Sequence, residues 1–345
     1  MSMFRQLICI ILLMVPLAAC GAPTQTGTSA TTPPGSAATA APAALREVAM
    51  AMSYIPNVQF THFYVADKKG YYAAEGLKVK FDYNFETDVV QRVAQGTVQF
   101  GTAGGDSTLL ARAQGLPVVT VATNSQRFPI VFFSKAEANI KTPADLKGKS
   151  VGIPGRFGGA YIGLLALLYA NQMQESDLNL QEIGFAQVAA LSEGKVQVAS
   201  GYGNNEPVQL EQQGIKVNVI KVADFYPLAS DGIIAGESLI ASQPEMVRGF
   251  VRATLKGMQE TIENTDEAFK IALEYIPEAQ RGDLSLQRKV LQETLPYWQS
   301  DMTTKEGLGY TDMQSWQATH KFLRDSKLLK SDVDLSKAFT NEFIK

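Results

Sequence analysis

The feature that most constrains the fold of this chain is a strand that runs through a polar and aromatic elbow into a helix. An apolar strand over 48–52 is followed by Tyr54, Asn57, Gln59 and Phe60, and a helical stretch comes next. In open α/β sheets, ligands bind beyond the carboxyl ends of the strands, where loops lead into helix N-termini with free N–H groups. The elbow therefore predicts an α/β protein with one wall of a small-molecule site at this point.

A second and a third elbow follow in the same part of the chain. An alternating strand over 78–83 ends at Phe85 and Glu86, and a later strand ends at two glycines before Asp106. Asp88 is interpreted as a helix cap, because Asp is favoured near a helix start. Asp106 is also suited to capping, and Glu86 and Asp106 are candidates for ligand contact. The glycine turn lacks the G-x-G-x-x-G spacing of a dinucleotide site.

Two more elbows come later in the chain. A strand over 150–153 leads into a glycine-rich turn and an apolar helix, and a strand over 196–199 leads into the segment 200–207, in which six of eight residues are polar or Gly. Phe157 and Tyr161 suit either core packing or ligand stacking, and flanking glycines favour stacking. The candidate contacts from this part of the chain are Phe157, Gly159, Tyr161, Tyr202, Asn204, Asn205, Glu206 and Asp231.

The remaining pattern predicts two α/β lobes, one inserted in the other. Strands are expected over 116–122, 130–133 and 216–222, and helices over 244–264, 265–275, 286–295 and 312–324. Asn264 and Glu267 have the spacing of a capping box, and Trp316 and Phe322 are interpreted as packing residues. One lobe is expected at 45–130 with 228–345 and the other at 131–227. Such lobes form a hinged clamp around a shared cleft.

The N-terminus predicts secretion and a lipid anchor. Residues 1–19 contain a single charge, Arg5, and a 13-residue apolar run over 7–19 that is shorter than the roughly 20 residues of a membrane span. Residues 17–20 read Leu-Ala-Ala-Cys, so Cys20 is the expected lipidation site after removal of 1–19. The alternative is an ordinary signal peptide with an incidental cysteine. Residues 20–44 are then an uncharged flexible linker, and the protein lies on the extracytoplasmic face of the cell membrane.

Composition and motifs narrow the class of function. The net charge of −3 and the lack of a basic stripe argue against nucleic-acid binding. The only histidines are His62 and His320, which is weak support for a metal site, and no G-x-S-x-G, H-E-x-x-H or P-loop spacing occurs. An envelope hydrolase using Glu86 and Glu206 is the enzymatic alternative, and turnover of bound ligand would distinguish it. The expectation is a binding protein without enzymatic activity, metal or cofactor.

Several short segments carry a resemblance to a known family. They are Pro56-Asn57, Tyr64-Val65-Ala66, Lys69-Gly70-Tyr71-Tyr72, Glu75-Gly76-Leu77, TPADLKGK at 142–149, the GY-NNEP loop at 201–207 and DLSKAFTNEFI at 334–344. The chain resembles the solute-binding proteins of ABC importers, in the branch that binds the thiamine pyrimidine precursor or riboflavin and is related to alkanesulfonate and nitrate binders. The resemblance implies a type II periplasmic-binding-protein fold, a monomer, and a permease with its ATPase as partners. Related synthases carry a cysteine-rich iron motif and a reactive lysine, whereas Cys20 is the sole cysteine expected in the mature chain.

The resemblance also favours one ligand. Pyrimidine-precursor binders have Trp at the position of Tyr54 and His at that of Phe60, and His62 stands where they have Gly; the segment 54–60 is more similar to the riboflavin type. Riboflavin is then the transported ligand and not a cofactor. The expected stacking rings are Phe60, Phe85, Phe157, Tyr161 and Tyr202, the expected amides are Asn57, Gln59, Asn204 and Asn205, and the expected acceptors are Glu86, Glu206 and Asp231. The thiamine precursor stays open as an alternative, as does a small anion held by Arg156 at the glycine-rich turn.

Overall fold

The computed structural model describes residues 44–279 and 282–345. The predicted signal peptide, Cys20 and the linker up to residue 43 lie outside the described residues. Along the described ranges, no helix is long and apolar enough to cross a membrane.

The strands form two five-stranded sheets that are flanked by helices, which confirms the predicted α/β class. The first sheet has the order β2-β1-β3-β10-β4 and contains β1 (Arg46–Met52), β2 (Leu77–Tyr83), β3 (Phe100–Gly104), β4 (Val118–Thr123) and β10 (Asp231–Gly236). The second has the order β7-β6-β8-β5-β9 and contains β5 (Ile130–Lys135), β6 (Ser150–Ile153), β7 (Asn179–Glu182), β8 (Val198–Tyr202) and β9 (Val217–Lys221). The chain therefore leaves the first sheet after β4 and returns to it with β10.

Each sheet contains a strand that runs against its neighbours. β10 is antiparallel to β3 and β4, and β5 is antiparallel to β8 and β9. Because β10 is reversed, its first residue, Asp231, lies opposite Gly104 at the end of β3. Both residues thus lie at the same edge of the first sheet.

The helices follow the strands as the alternating pattern predicts. They are α1 (Thr61–Lys68), α2 (Tyr71–Ala74), α3 (Glu86–Ala94), α4 (Gly105–Ala113), α5 (Gly158–Ala170), α6 (Gln187–Ser192), α7 (Glu206–Gln212), α8 (Glu237–Ser242), α9 (Pro244–Glu263), α10 (Thr265–Tyr275), α11 (Leu284–Thr294), α12 (Asp301–Glu306) and α13 (Met313–Asp325). A short 3-10 turn, Val58–Phe60, precedes α1, and another, Leu295–Trp298, follows α11.

Two predictions about helix starts are wrong. Asp88 does not cap α3, because the helix begins two residues earlier at Glu86, and the Asp88 carboxylate instead lies 3.4 Å from Arg92 one turn later. Asn264 and Glu267 do not form a capping box. The Asn264 side chain donates to Glu260 at 3.1 Å and forms no cap bond, and Glu267 forms an ion pair with Lys69.

The strand predicted over 196–199 is displaced toward the C-terminus. β8 extends to Tyr202, which pairs with Ile130 of β5, so the first residues of the polar segment belong to the sheet. Gly201 makes this possible, since a Cβ there would lie 2.5 Å from Oε2 of Glu206. The absence of a side chain lets the Glu206 carboxylate lie directly against the strand.

One hydrophobic cluster joins helices that accompany different sheets. Leu109 of α4, Leu164 of α5, and Trp316 and Phe322 of α13 pack together, and the accessible surface of each is at most 1%. The predicted packing role of Trp316 and Phe322 is confirmed. On this side the two sheets share a continuous apolar core, and the functional cavity lies elsewhere.

Candidate binding site in the cleft

A cavity lies where the elbows of the two sheets face each other, and we call it the cleft cavity. Tyr54 follows β1, Asp231 opens β10, Tyr202 ends β8, and Gly158 begins α5. The cavity encloses about 1040 Å³ of space, including the part open to solvent. This is the position expected for a small-molecule site in an open α/β sheet.

Most of the residues predicted from the sequence as ligand contacts line this cavity. They are Tyr54, Gln59, Phe60, Phe85, Glu86, Phe157, Gly159, Tyr202, Asn204, Glu206 and Asp231. They come from five separate stretches of the chain, which the topology brings together at the facing sheet edges.

The other predicted contacts lie outside the lining, each for a local reason. The Asn57 side chain accepts from the Gln59 amide at 3.0 Å and caps the turn before α1. The Tyr161 hydroxyl donates to Glu175 at 3.0 Å, and the Asn205 amide donates to Glu206 at 3.1 Å. Asp106 is fully buried, and Gly104 allows its close approach, since a Cβ at Gly104 would meet both Asp106 and Glu86.

The structure adds lining residues that were not among the predicted contacts. The main ones are His62, Asn124, Ser125, Phe185, Gln187, Thr294 and Trp298. Asn124 and Ser125 directly follow β4, so the rule used for the other elbows would have found them. Trp298 comes from a 3-10 turn of the helical C-terminal part, and nothing in its local sequence points to a cleft.

Aromatic rings from both sides meet in the cavity wall. Phe85, which precedes α3, stacks on Phe185 with ring centroids 5.4 Å apart and an interplanar angle of 25°. Phe157 meets Phe85 edge-on at 5.6 Å, and Tyr54 meets Phe185 edge-on at 5.1 Å. Phe85 and Phe185 are 48% and 40% exposed, so these rings lie toward the mouth and offer flat apolar faces.

Deeper in the cavity, several buried polar atoms lack a hydrogen-bond partner. They are Nδ1 and Nε2 of His62, Oδ1 of Asn124 and Oδ1 of Asn204, and all three side chains are less than 5% exposed. An unsatisfied buried polar group costs about 1–3 kcal/mol and is rare in native proteins. His62 and Asn124 lie close enough to interact with each other, and the hydrogen-bonding capacity that they and Asn204 have left is available to a polar ligand edge.

The imidazole of His62 is neutral. Burial lowers its pKa to about 3, although the neighbouring Asn124 amide favours the charged form, and the ring packs edge-on against Trp298 at 4.6 Å. A neutral imidazole has one donor and one acceptor nitrogen. His62 with the two amides can therefore match a ligand edge that alternates donors and acceptors.

Carboxyl groups form another part of the wall. Glu206 accepts from the Tyr202 amide at 2.7 Å, and burial raises the pKa of Glu206 to about 7. Glu86 accepts from the Gly104 amide at 2.6 Å, and desolvation in the cleft raises the pKa of Glu86. Burial likewise raises the pKa of Asp231, while Ser125 and Asn124 oppose the shift by donating hydrogen bonds. Asp106 lies behind them, and burial followed by the charge of Glu86 raises the pKa of Asp106.

No cation balances these carboxyl groups among the described lining residues, since none of them is Lys or Arg. Arg156, the candidate anion anchor, forms an ion pair with Glu175, lies 3.5 Å from Glu182 and is not part of the lining. Over the ranges 44–279 and 282–345, no cluster of three His, Cys, Asp or Glu side chains is arranged to hold a metal ion. The cavity suits an uncharged ligand with stacking faces, hydroxyls or amino groups.

The family of the chain follows from its sequence relatives. A family model described as NMT1/THI5 like matches residues 57–268, which is more than half of the chain. The chain belongs to the NMT1/THI5-like family. This family member is 55% identical to the riboflavin-binding protein RibY of Chloroflexus aurantiacus, over 97% of this chain and 96% of RibY.

Other relatives of this NMT1/THI5-like protein have two kinds of function. It is 30% identical to the formylaminopyrimidine-binding protein of Halalkalibacterium halodurans over 86% of the chain and 91% of that protein. It is 24% identical to the 4-amino-5-hydroxymethyl-2-methylpyrimidine phosphate synthase of Legionella pneumophila over 86% of the chain and 92% of that protein. The family thus includes binding proteins and synthases.

Solved structures confirm the fold of this family member. The alkanesulfonate-binding protein SsuA from Xanthomonas axonopodis pv. citri, bound to MOPS, matches with a TM-score of 0.66 at 15% identity. The match covers 87% of this chain and 99% of SsuA. The two sheets with their helices are therefore the two-lobed fold of periplasmic binding proteins, as the sequence resemblance implied.

Proposed function

We propose that this protein is the substrate-binding component of an ABC importer and that it captures riboflavin. The observation that carries the proposal is that aromatic rings line the mouth of the cleft cavity while unsatisfied buried polar atoms lie deeper in it. The likeness to RibY supports riboflavin over other planar ligands. Riboflavin has a wide, flat ring system, a uracil-like edge that alternates acceptors with a donor, and an uncharged ribityl chain.

Each part of riboflavin has a counterpart in the cavity. The ring system stacks on Phe85, Phe157 or Tyr202, and each such contact adds about 0.5–1.5 kcal/mol beyond area burial. The uracil-like edge takes the partners that His62, Asn124 and Asn204 lack. The ribityl hydroxyls donate to the carboxylates of Glu86, Glu206 and Asp231, which can only accept hydrogen bonds when they are ionised.

The proposed roles of the protein as a whole follow from the same binding activity. We propose that it is not an enzyme and releases its ligand unchanged to a permease with its ATPase. We also propose that it is a monomer and that lipidated Cys20 holds it at the extracytoplasmic face of the membrane. We further propose that the lobes 45–130 with 228–345 and 131–227 close around the ligand. The separation of β4 and β5 into different sheets supports this division.

A titration with riboflavin tests the proposed ligand directly. Stacking on the aromatic wall quenches flavin fluorescence, so we expect saturable quenching with a dissociation constant at or below about 1 μM. The recovered flavin should be chemically intact after long incubation. Unquenched emission throughout the micromolar range would exclude riboflavin as the ligand.

The formylaminopyrimidine precursor of thiamine is the second candidate. The carboxylates of Glu86, Glu206 and Asp231 favour it, because they accept hydrogen bonds from an amino group as well as from hydroxyls. A competition titration separates the two ligands: displacement of riboflavin only by a large excess of the pyrimidine supports riboflavin, and tighter binding of the pyrimidine reverses the order.

A further inference from the structure

The N-terminus of α5 in the second sheet is occupied by a carboxylate from the first. α5 spans thirteen residues, Gly158–Ala170, and its first N–H groups have no partner within the helix. Glu86 of α3 lies against this N-terminus: a Cβ on Gly158 would lie 2.8 Å from its Oε2, and the Gly159 N–H favours the charged form of its carboxylate. Gly158 has a φ of +63°, a conformation that glycine adopts without strain.

A helix N-terminus is a natural place for an anion, because free N–H groups and the helix dipole both favour negative charge. In this cleft the protein supplies that charge itself. The other oxygen of Glu86 accepts from the Gly104 amide at 2.6 Å, which fixes the carboxylate from the side of the first sheet. A ligand anion that approached the start of α5 would meet this carboxylate.

The surroundings of Glu86 add to this effect. The charge of Asp231 acts on Glu86, the charges of Glu86 and Asp231 act on Asp106, and Glu206 lines the same cavity. No Lys or Arg belongs to the described lining, so an entering anion would meet like charges without a counter-ion. A like charge held a few ångströms away in a partly buried site lowers affinity by about 100-fold.

We propose that Glu86 is a specificity determinant that makes the cleft select an uncharged heterocycle and reject its anionic derivatives. The rejected class comprises phosphate esters of the same heterocycle and small sulfonates. The identity of the heterocycle rests on the proposed function, whereas the rejection of anions does not. The same fold holds a sulfonate ligand in SsuA, so the fold itself does not exclude anions.

The first test compares riboflavin with its 5′-phosphate, flavin mononucleotide, by fluorescence quenching. We expect the unaltered protein to bind riboflavin about 100-fold more tightly than the phosphate ester, and Glu86→Gln to reduce this ratio at least about tenfold by improving binding of the ester. Asp88→Asn is the matched control, because Asp88 lies on the same helix, pairs with Arg92 and is absent from the lining. The control should keep the original ratio.

The second test needs no flavin. We expect about 10 mM MOPS to leave the melting temperature of the unaltered protein unchanged and to raise that of Glu86→Ala, in which the α5 N-terminus is vacated. Equal binding of the two flavins by the unaltered protein, stabilisation of that protein by MOPS, or a Glu86→Gln variant with an unchanged ratio would each overturn the proposal. If riboflavin itself fails to bind, the proposed function fails, and the MOPS arm still decides the role of Glu86.

Discussion

At the scale of single residues, His62 and Glu206 show how this cavity differs from an ordinary core. Both side chains are less than 4% exposed, yet they are polar, and they contact the ligand cavity instead of filling a hydrophobic layer. Each of these buried polar groups lowers the free energy of unfolding when no ligand is bound. Binding and stability should therefore respond in opposite directions when these groups are replaced.

His62→Leu should weaken riboflavin binding while leaving the protein as stable or more stable. The substitution removes two buried nitrogens without partners, a gain of about 1 kcal/mol in the free energy of unfolding, and it removes a hydrogen bond to the ligand worth about tenfold in affinity. Urea denaturation and fluorescence titration measure the two effects. His320→Leu is the control, because His320 lies 2.9 Å from Asp332 and outside the lining, so affinity should not change. Wild-type affinity in His62→Leu would place the ligand edge elsewhere.

Glu206 should make the protein less stable as the pH rises. The pKa of Glu206 is about 7 in the folded state, above its ordinary value of 4.5, so the folded state keeps a proton that the unfolded state releases between these values. The free energy of unfolding should fall by roughly 3 kcal/mol from pH 4.5 to 7 through this group alone. Buried Glu86, Asp106 and Asp231 act in the same direction.

Glu206→Gln should reduce the slope of stability against pH and stabilise the unliganded protein at pH 8. Urea denaturation at pH 5 and pH 8 measures the change. Glu211→Gln is the control on the same helix, since Glu211 is half exposed and lies 3.7 Å from Lys289. A Glu206→Gln variant that keeps the full pH slope would show that Glu206 is ionised in the folded protein.

At the scale of elements, the sequence predicted the order of strands and helices and the elbows that form the cleft. Which side chains of an elbow face the cleft could not be predicted, because this depends on the backbone conformation where the elbow joins its helix. Phe157 lines the cavity and Tyr161 does not, although they are four residues apart, because Phe157 is extended at φ −154° and only Tyr161 is helical. Asn204 faces the cavity and its neighbour Asn205 bonds to Glu206. Trp298 was missed because long-range packing, and no local pattern, brings it to the cleft, whereas His62 belongs to the first elbow, two residues after Phe60, and was not chosen as a contact.

At the scale of the whole molecule, the two sheets contact each other through side chains of the cavity itself. Phe85 stacks on Phe185, Glu86 bonds to the start of α5, and the Tyr54 hydroxyl donates to Glu206 at 3.5 Å. In the described structure these contacts link the two sheets across the cleft. The proposed opening of the lobes requires that these contacts separate before a ligand leaves.

Phe185→Ala should speed ligand release more than it slows ligand entry. The substitution removes the stacking contact with Phe85 and the edge contact with Tyr54, which together are worth about 1–2 kcal/mol, or roughly five- to thirtyfold in dissociation rate. Stopped-flow fluorescence with riboflavin measures both rates. Phe225→Ala is the control, because Phe225 is also 40% exposed but does not line the cavity. Equal dissociation rates in the two variants would show that the Phe85–Phe185 stacking does not limit the rate of ligand release.

The reversed strand β10 brings the connections between the two sheets next to the ligand cavity. The backbone N–H of Asn124, just after β4, donates to the backbone oxygen of Asp231 at 2.9 Å. The chain segments that connect the two sheets therefore carry residues that line the cavity. In the proposed closure of the lobes, a ligand held there lies close to the hinge, so a small rotation at the hinge produces a large displacement at the far end of the lobe 131–227. A fluorophore placed far from the cleft would then convert ligand capture into an optical signal without touching the ligand, which makes this architecture a ready scaffold for a vitamin biosensor.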